Sequence, residues 1–205
     1  MSADVYDPWA MTTTRNGLEG DLVISALQKS IRRGLTEEAV TFAYEMYITS
    51  EQFEDKLWRR LQAISVEDVG FGDLSAPVLI NTLNQMRQNF PYADGDRPLF
   101  FVHAIRYLSA AKKDRTSDNL KNIVKIEFAH GRLPEIPDFA IDKHTVKGRE
   151  QGRDLKHFLE EGAKLENEIE VEESYRPRLL ALLDKIESNG DEPVATAFTY
   201  SGWQF

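Results

Sequence analysis

The chain has 205 residues, with 25 Lys and Arg against 34 Asp and Glu and a formal net charge of −9. Hydrophobic residues make up 41% and aromatics 10%, enough for a packed core and too much for wholesale disorder. Cysteine is absent, which excludes disulfides, thiol nucleophiles and zinc sites that need sulfur, and the acidic balance argues against nucleic-acid binding by bulk charge.

No run of 18 apolar residues occurs, so no membrane-spanning helix is expected. Residues 1–20 lack a basic segment followed by an apolar one, so they do not read as a secretory signal, and a cytoplasmic protein is expected. Residues 1–17, with Pro8, Gly17 and no periodicity, read as an N-terminal arm. From Gly20, Leu22, Val23, Ala26, Leu27 and Ile31 recur at helical spacing, and Gly34 is a stop. Thr36 reads as the N-cap of a second helix carrying Ala39, Val40, Ala43, Tyr44, Met46 and Tyr47. A third starts near Ser50 and carries Phe53, Leu57, Trp58, Leu61 and Ile64.

The stretch 67–73 breaks this pattern, because glycines at 70 and 72 signal a turn with unusual backbone angles. Further helices are expected over 75–89, 99–111 and 117–129, with a polar loop at 91–98. After Gly131, Pro134 and Pro137 exclude helix, and helices return at 149–166 and 173–188. The segment 194–205 mixes Ala, Thr, Phe, Tyr and Trp without helical spacing. The expectation is an all-α protein, with a compact helical domain at 18–131 and a polar extension at 132–205 ending in an irregular tail.

Charge is unevenly spread. Residues 160–173 hold seven glutamates and one lysine, about −6. Arg106, Lys112, Lys113, Arg115, Lys121 and Lys125 against Asp114 and Asp118 make about +4. These six are the candidate nucleic-acid contacts, against the plainer reading of a solvated mixed face. No phosphate-binding glycine loop, dinucleotide fingerprint, nucleophile elbow, zinc-protease helix or calcium loop is present. No catalytic residue and no cofactor are therefore predicted.

Four histidines remain. His103 sits in an apolar run and reads as a partly buried helix residue, and His130 as a cation at a helix end. Asp142, His144, His157 and Glu161 are a candidate metal set, because His157 and Glu161 share a helix face. The same spacing gives an ordinary helix-stabilising pair. Arg149, Arg153 and Lys156 are candidate anion ligands, or else partners of nearby acids. Gly148 and Gly152 would let another backbone approach. This cluster supports an alternative reading, a small metal- or phosphate-dependent enzyme or ligand-binding protein.

Three stretches, Leu22–Arg32, Ile64–Asp73 and Ala104–Lys113, resemble in order and spacing the C-terminal region of the MgsA/RarA-type AAA+ ATPases. These are replication-associated recombination proteins related to the Werner-helicase-interacting ATPases. The family pattern is a Ser-Ala-x-x-Lys-Ser helix, an arginine-bearing helix running into Ser-Glu-Asp-[Val/Ile]-Gly, then a helix ending in Tyr-Leu-Ala-x-Ala-Pro-Lys-Ser. Ser25, Lys29, Ser30, Arg59, Arg60, Glu67, Asp68, Gly70 and Asp73 fall on matching positions. The resemblance spans about 18–125. Only about twenty residues precede it here, so ATP hydrolysis is not carried over, and Lys112-Lys113-Asp114 replaces the family's Pro-Lys-Ser. It implies a helical module like a clamp-loader collar that makes homo-oligomers and works beside replication and repair proteins. From the residues themselves, Glu67 and Asp68 are expected to pair with Arg59, Arg60 or Lys29 and lock the turn, a structural rather than catalytic role.

Overall fold

The apolar spacing of residues 20–110 becomes five helices that bury one another's stripes. In a computed structural model, residues 7–171 and 175–197 are described. The first five helices are α1 (Gly20–Arg32), α2 (Thr36–Thr49), α3 (Glu51–Ile64), α4 (Ala76–Arg87) and α5 (Arg97–Ala110). Then follow α6 (Thr116–Ala129), the short α7 (Val146–Glu150) and α8 (Leu155–His157), and α9 (Tyr175–Asn189). The protein is all-α: among the described residues there is no strand, only one isolated bridge between Thr13 and Glu19. No described helix is long and apolar enough to cross a membrane. The chain divides into two units, Met1–Arg132 and Leu133–Phe205.

In the first unit α5 packs against all of α1 to α4. Its Phe101, Ala104, Ile105 and Leu108 recur at the helical period and are fully buried. They meet Leu27 and Ile31 of α1, Ala43 and Met46 of α2, Leu57, Trp58 and Leu61 of α3 and Ile80 of α4 in one apolar cluster. α1 ends in a Schellman motif: Gly34 has φ of +73° and its amide reaches the Ile31 carbonyl at 3.0 Å, while the Leu35 amide reaches that of Ser30 at 2.9 Å. The expected cap Thr36 lies inside α2, whose cap position is Leu35. Ser50 does cap α3, accepting the Phe53 amide at 3.2 Å. α5 starts at Arg97, inside the stretch expected to be loop, because Pro98 fits the first helical turn.

Residues 7–17 are tied down rather than loose. Trp9 packs edge-on against Phe53 with ring centroids 4.9 Å apart. The Arg15 amide donates to Thr49 at 3.0 Å, and Asn16 donates to both Glu45 oxygens, at 3.1 and 2.6 Å.

The core also holds an ion cluster. Glu54 is 1% exposed and accepts from Arg87 at 3.1 Å and from Arg97 at 2.9 and 3.0 Å. Arg97 also donates to the backbone carbonyls of Arg87 and Phe90. One carboxylate thus joins α3, the end of α4 and the start of α5, and closes the 88–96 connection.

In the second unit the helix expected over 149–166 is three pieces. Gly152, at φ of +71°, ends α7. Asp154 then caps α8 through the His157 amide at 2.9 Å, and a wide turn covers Phe158–Gly162. The last helix is α9. The tail expected over 194–205 lies outside the described residues from 198 onward, as do 172–174 of the acidic block and last helix.

Removing the Glu54 carboxylate leaves the buried Arg97 guanidinium without an ion-pair partner and Arg87 with Asp55 alone, at 2.9 Å. Glu54→Ala is expected to destabilise the protein by about 3–5 kcal/mol, read as a lower urea midpoint. A loss under about 1 kcal/mol, the worth of an exposed pair, would show the cluster to be solvated.

Candidate functional site

α3 does not stop at Ile64. Ser65–Val69 continue it as one wide π turn, followed by a 3₁₀ turn at Gly70–Gly72. This switch turns Asp68 inward, where it is fully buried. Its carboxylate accepts from Arg32 Nε at 2.6 Å, from Gln28 Nε2 at 3.0 Å and from Arg115. Glu67, at the edge, takes Gln28 at 3.0 Å, Arg115 at 3.3 Å, Arg60 at 3.4 Å and Arg32 at 3.5 Å. Burial pushes the Asp68 carboxyl up, but the hydrogen bonds from Arg32, Gln28 and Arg115 outweigh it and hold it below the usual aspartate range.

The glycines let the backbone of 112–114 lie on this turn. A Cβ at Gly72 would sit 2.4 Å from the Lys112 carbonyl oxygen, and one at Gly70, where φ is +50°, 2.5 Å from that of Asp114. The Asp114 amide donates to the Asp68 carbonyl at 2.9 Å, and the Asp114 side chain accepts the Phe71 amide at 3.2 Å. The same side chain takes the Thr116 amide at 3.0 Å and so starts α6. Asp73 accepts from the Ser75 amide at 3.0 Å and from Tyr107, which fixes the entry to α4.

Of the expected partners of the two acids, Arg60 reaches Glu67, while Arg59 and Lys29 do not. Arg59 turns back to the Asp55 carbonyl at 3.3 Å, and Lys29 donates to Ser25 at 2.7 Å. Gln28 and Arg32 do the work instead. Both lie on α1, and their spacing of four puts them on one face toward the turn.

α6 is held at its start and bare beyond it. Arg115 bridges Asp68 and Asp118, and Asp118 also takes Lys121 at 2.5 Å. No residue of α6 is buried. Leu120 is 61% exposed, Ile123 53%, Val124 41% and Phe128 51%. At 100° per residue these four fall within an arc of about 140°, the width of a stripe that ordinarily faces a core.

The six candidate nucleic-acid contacts do not form one free patch. Arg115 and Lys121 are spent on acids, and Lys113 donates to the Ser109 and Ala111 carbonyls at 3.0 and 2.5 Å. Arg106, Lys112 and Lys125 are exposed. His103 is exposed as well, against the expectation of partial burial. His130 ends α6, its Nδ1 2.7 Å from the Ile126 carbonyl.

In the second unit Asp142 and His144 do meet. Asp142 accepts the His144 amide at 2.8 Å and lies 3.2 Å from its Nδ1. Glu161 pairs with Lys164 at 2.7 Å instead, and the His157 Nδ1 is buried without a partner. Among the described residues no group of three or more acids and histidines is placed to hold a metal, so the candidate metal set does not assemble. The candidate anion ligands are also separated: Arg149 donates to the Lys143 carbonyl at 3.2 Å, Arg153 to Asp138 at 2.6 Å and Lys156 to Asp184 at 2.7 Å. Gly148 is the close approach expected, since its Cβ would fall 1.8 Å from the Asp142 carbonyl oxygen.

No protein-family model matches the chain, and no curated protein matches it.

The lowered carboxyl of Asp68 links the turn to pH. Its contribution is fully present above the unfolded-state value of about 3.9 and is lost as pH falls through the lower folded value. Asp68→Asn is expected to cost about 2–4 kcal/mol at pH 7. The gap to the parent should hold down to about pH 5 and close below about pH 4. A gap that does not vary down to pH 2 would remove the charge from the account.

Proposed function

We propose that the chain is a non-catalytic helical interaction module that self-associates and docks onto a larger assembly in the cytoplasm. The observation that carries this reading is α6: a helix fixed at its first turn by buried ion pairs, whose apolar stripe faces solvent. Exposed apolar surface of this kind on a rigid support is what a docking site requires. The arginines, acids and histidines that would serve an active site are instead engaged by partners within the chain or dispersed. The resemblance to the C-terminal region of the MgsA/RarA-type AAA+ ATPases supports a replication or repair assembly as the setting. It also supports oligomerisation through a collar-like bundle.

The test is a double variant on the bare stripe, Leu120→Asp with Val124→Asp. Sedimentation at tens of micromolar is expected to show an oligomer for the parent and a smaller species for the variant. Melting temperatures should agree within a few degrees, because no core contact is lost. A strictly monomeric parent that also retains nothing in pull-downs would overturn the reading.

A further inference from the structure

A cleft of about 280 Å³ lies between α1 and α3, beneath the N-terminal 3₁₀ turn Pro8–Met11. Lys56 and Arg60, four apart on α3, reach it from one side, and Ser25 and Gln28 of α1 from the other. Trp9 forms part of the wall, with the Lys56 ammonium 5.2 Å from its ring centre. Burial, then the neighbouring charge of Arg60, holds the Lys56 ammonium below the usual lysine range.

The donors in this cleft outnumber the acceptors they meet. Lys56 makes no ion pair among the described residues. Arg60 spends its Nη2 on Gln28 and Glu67, and its Nε is sealed from solvent, so Nη1 is the atom left to donate. Ser25 accepts from Lys29 at 2.7 Å, so its own O–H remains to donate. Two carboxylates also line the cleft, both accepting backbone amides, and the Asp7 charge acts on Lys56 from a distance. Asp7 takes the Trp9 amide at 2.9 Å and Asp21 the Leu22 amide at 2.8 Å, and neither pairs with Lys56 or Arg60. These are partly shielded donors without acceptors, and a charged oxygen ligand satisfies several at once.

We propose that this cleft binds an oxyanion, the phosphate or carboxylate group of a small molecule or peptide, held by Lys56, Arg60 and Ser25. Asp7 and Asp21 set a limit on the ligand. They repel a second negative charge close to the first, so an isolated anionic group fits and a polyanionic backbone does not.

The experiment uses the whole chain, titrated with inorganic phosphate, with acetate and with chloride at matched ionic strength, and read by thermal melting and by the Trp9 indole N–H resonance. The expected result is a saturable rise in melting temperature and a saturable movement of that resonance with phosphate, acetate or both, and neither with chloride. A response to phosphate alone assigns a phosphoryl ligand, and one to acetate alone assigns a carboxylate. Lys56→Met keeps the apolar stem against Trp9, and is expected to weaken the response at least tenfold, while Lys125→Met leaves it unchanged. The proposal is overturned if neither anion moves the parent's resonance, or if Lys56→Met responds like the parent.

Discussion

The first unit is organised around one buried charge. Asp68 sits where α3 ends, and three separate stretches must come to it: Gln28 and Arg32 from α1, the wide turn itself, and Arg115 from the entry to α6. A carboxylate with no solvent exposure is tolerated only when its partners are in place, because an unpaired buried ion costs several kcal/mol, on the order of the whole stability of a domain. The requirement therefore acts on geometry. Arg115 has to stand over the turn, residues 112–114 have to lie against Gly70 and Gly72, and α6 has to leave from there. The helix owes its position to ion pairs and backbone contacts at its first turn, since it buries no side chain of its own.

Glu54 imposes the same requirement at the other end of α3. It lies in the first turn of that helix, as Asp68 lies just past the last, and each draws in two arginines from elements distant in sequence. Between them Leu57, Trp58, Leu61 and Ile64 supply the apolar burial. Apolar burial is non-directional and would tolerate sliding or rotation of α3. Two fixed carboxylates, each needing particular guanidiniums, do not. Buried ion pairs add little net stability compared with well-packed apolar replacements, so their effect here is to select one arrangement of a core that Leu, Ile and Trp already hold together.

Why some of this was readable in the sequence and some was not follows from what each signal depends on. The five core helices were legible because a buried stripe leaves a local period, clearest in Phe101, Ala104, Ile105 and Leu108. The glycine turn was legible because only glycine tolerates both the positive φ and the approach of Lys112 and Asp114. Glu54 was not, because a glutamate in a first helical turn looks like an ordinary exposed acid facing the helix dipole. Arg59 and Arg60 differ by 100° of rotation, so at most one can face Glu67, and the sequence does not say which. His103 follows the same rule: its apolar neighbours point into the core while it points out. Gly152 was misread because spacing alone cannot distinguish a glycine inside a helix from one that ends it at positive φ. The π turn leaves no periodic trace at all, yet it is what carries Asp68 inward.

The two units meet the cost of ordering in different ways. The first buries more than twenty apolar side chains. Among the described residues of the second, none is buried; its buried positions are Asp142 and Gly148, and its order comes from caps at Thr145 and Asp154, the Arg153–Asp138 pair and the Asp142–His144 contact. Fixing one residue's backbone costs about 1–2 kcal/mol, and a typical intramolecular hydrogen bond returns about 0.5–1.5 kcal/mol net. Polar contacts at this density do not offset the ordering of some sixty residues without apolar burial beside them. Leu179, Leu182 and Ile186 on α9 therefore present the same unmet demand as Leu120, Val124 and Phe128 on α6. Both are helices whose sequence encodes a stripe for burial, and within its own unit each stripe is left largely uncovered by the described residues.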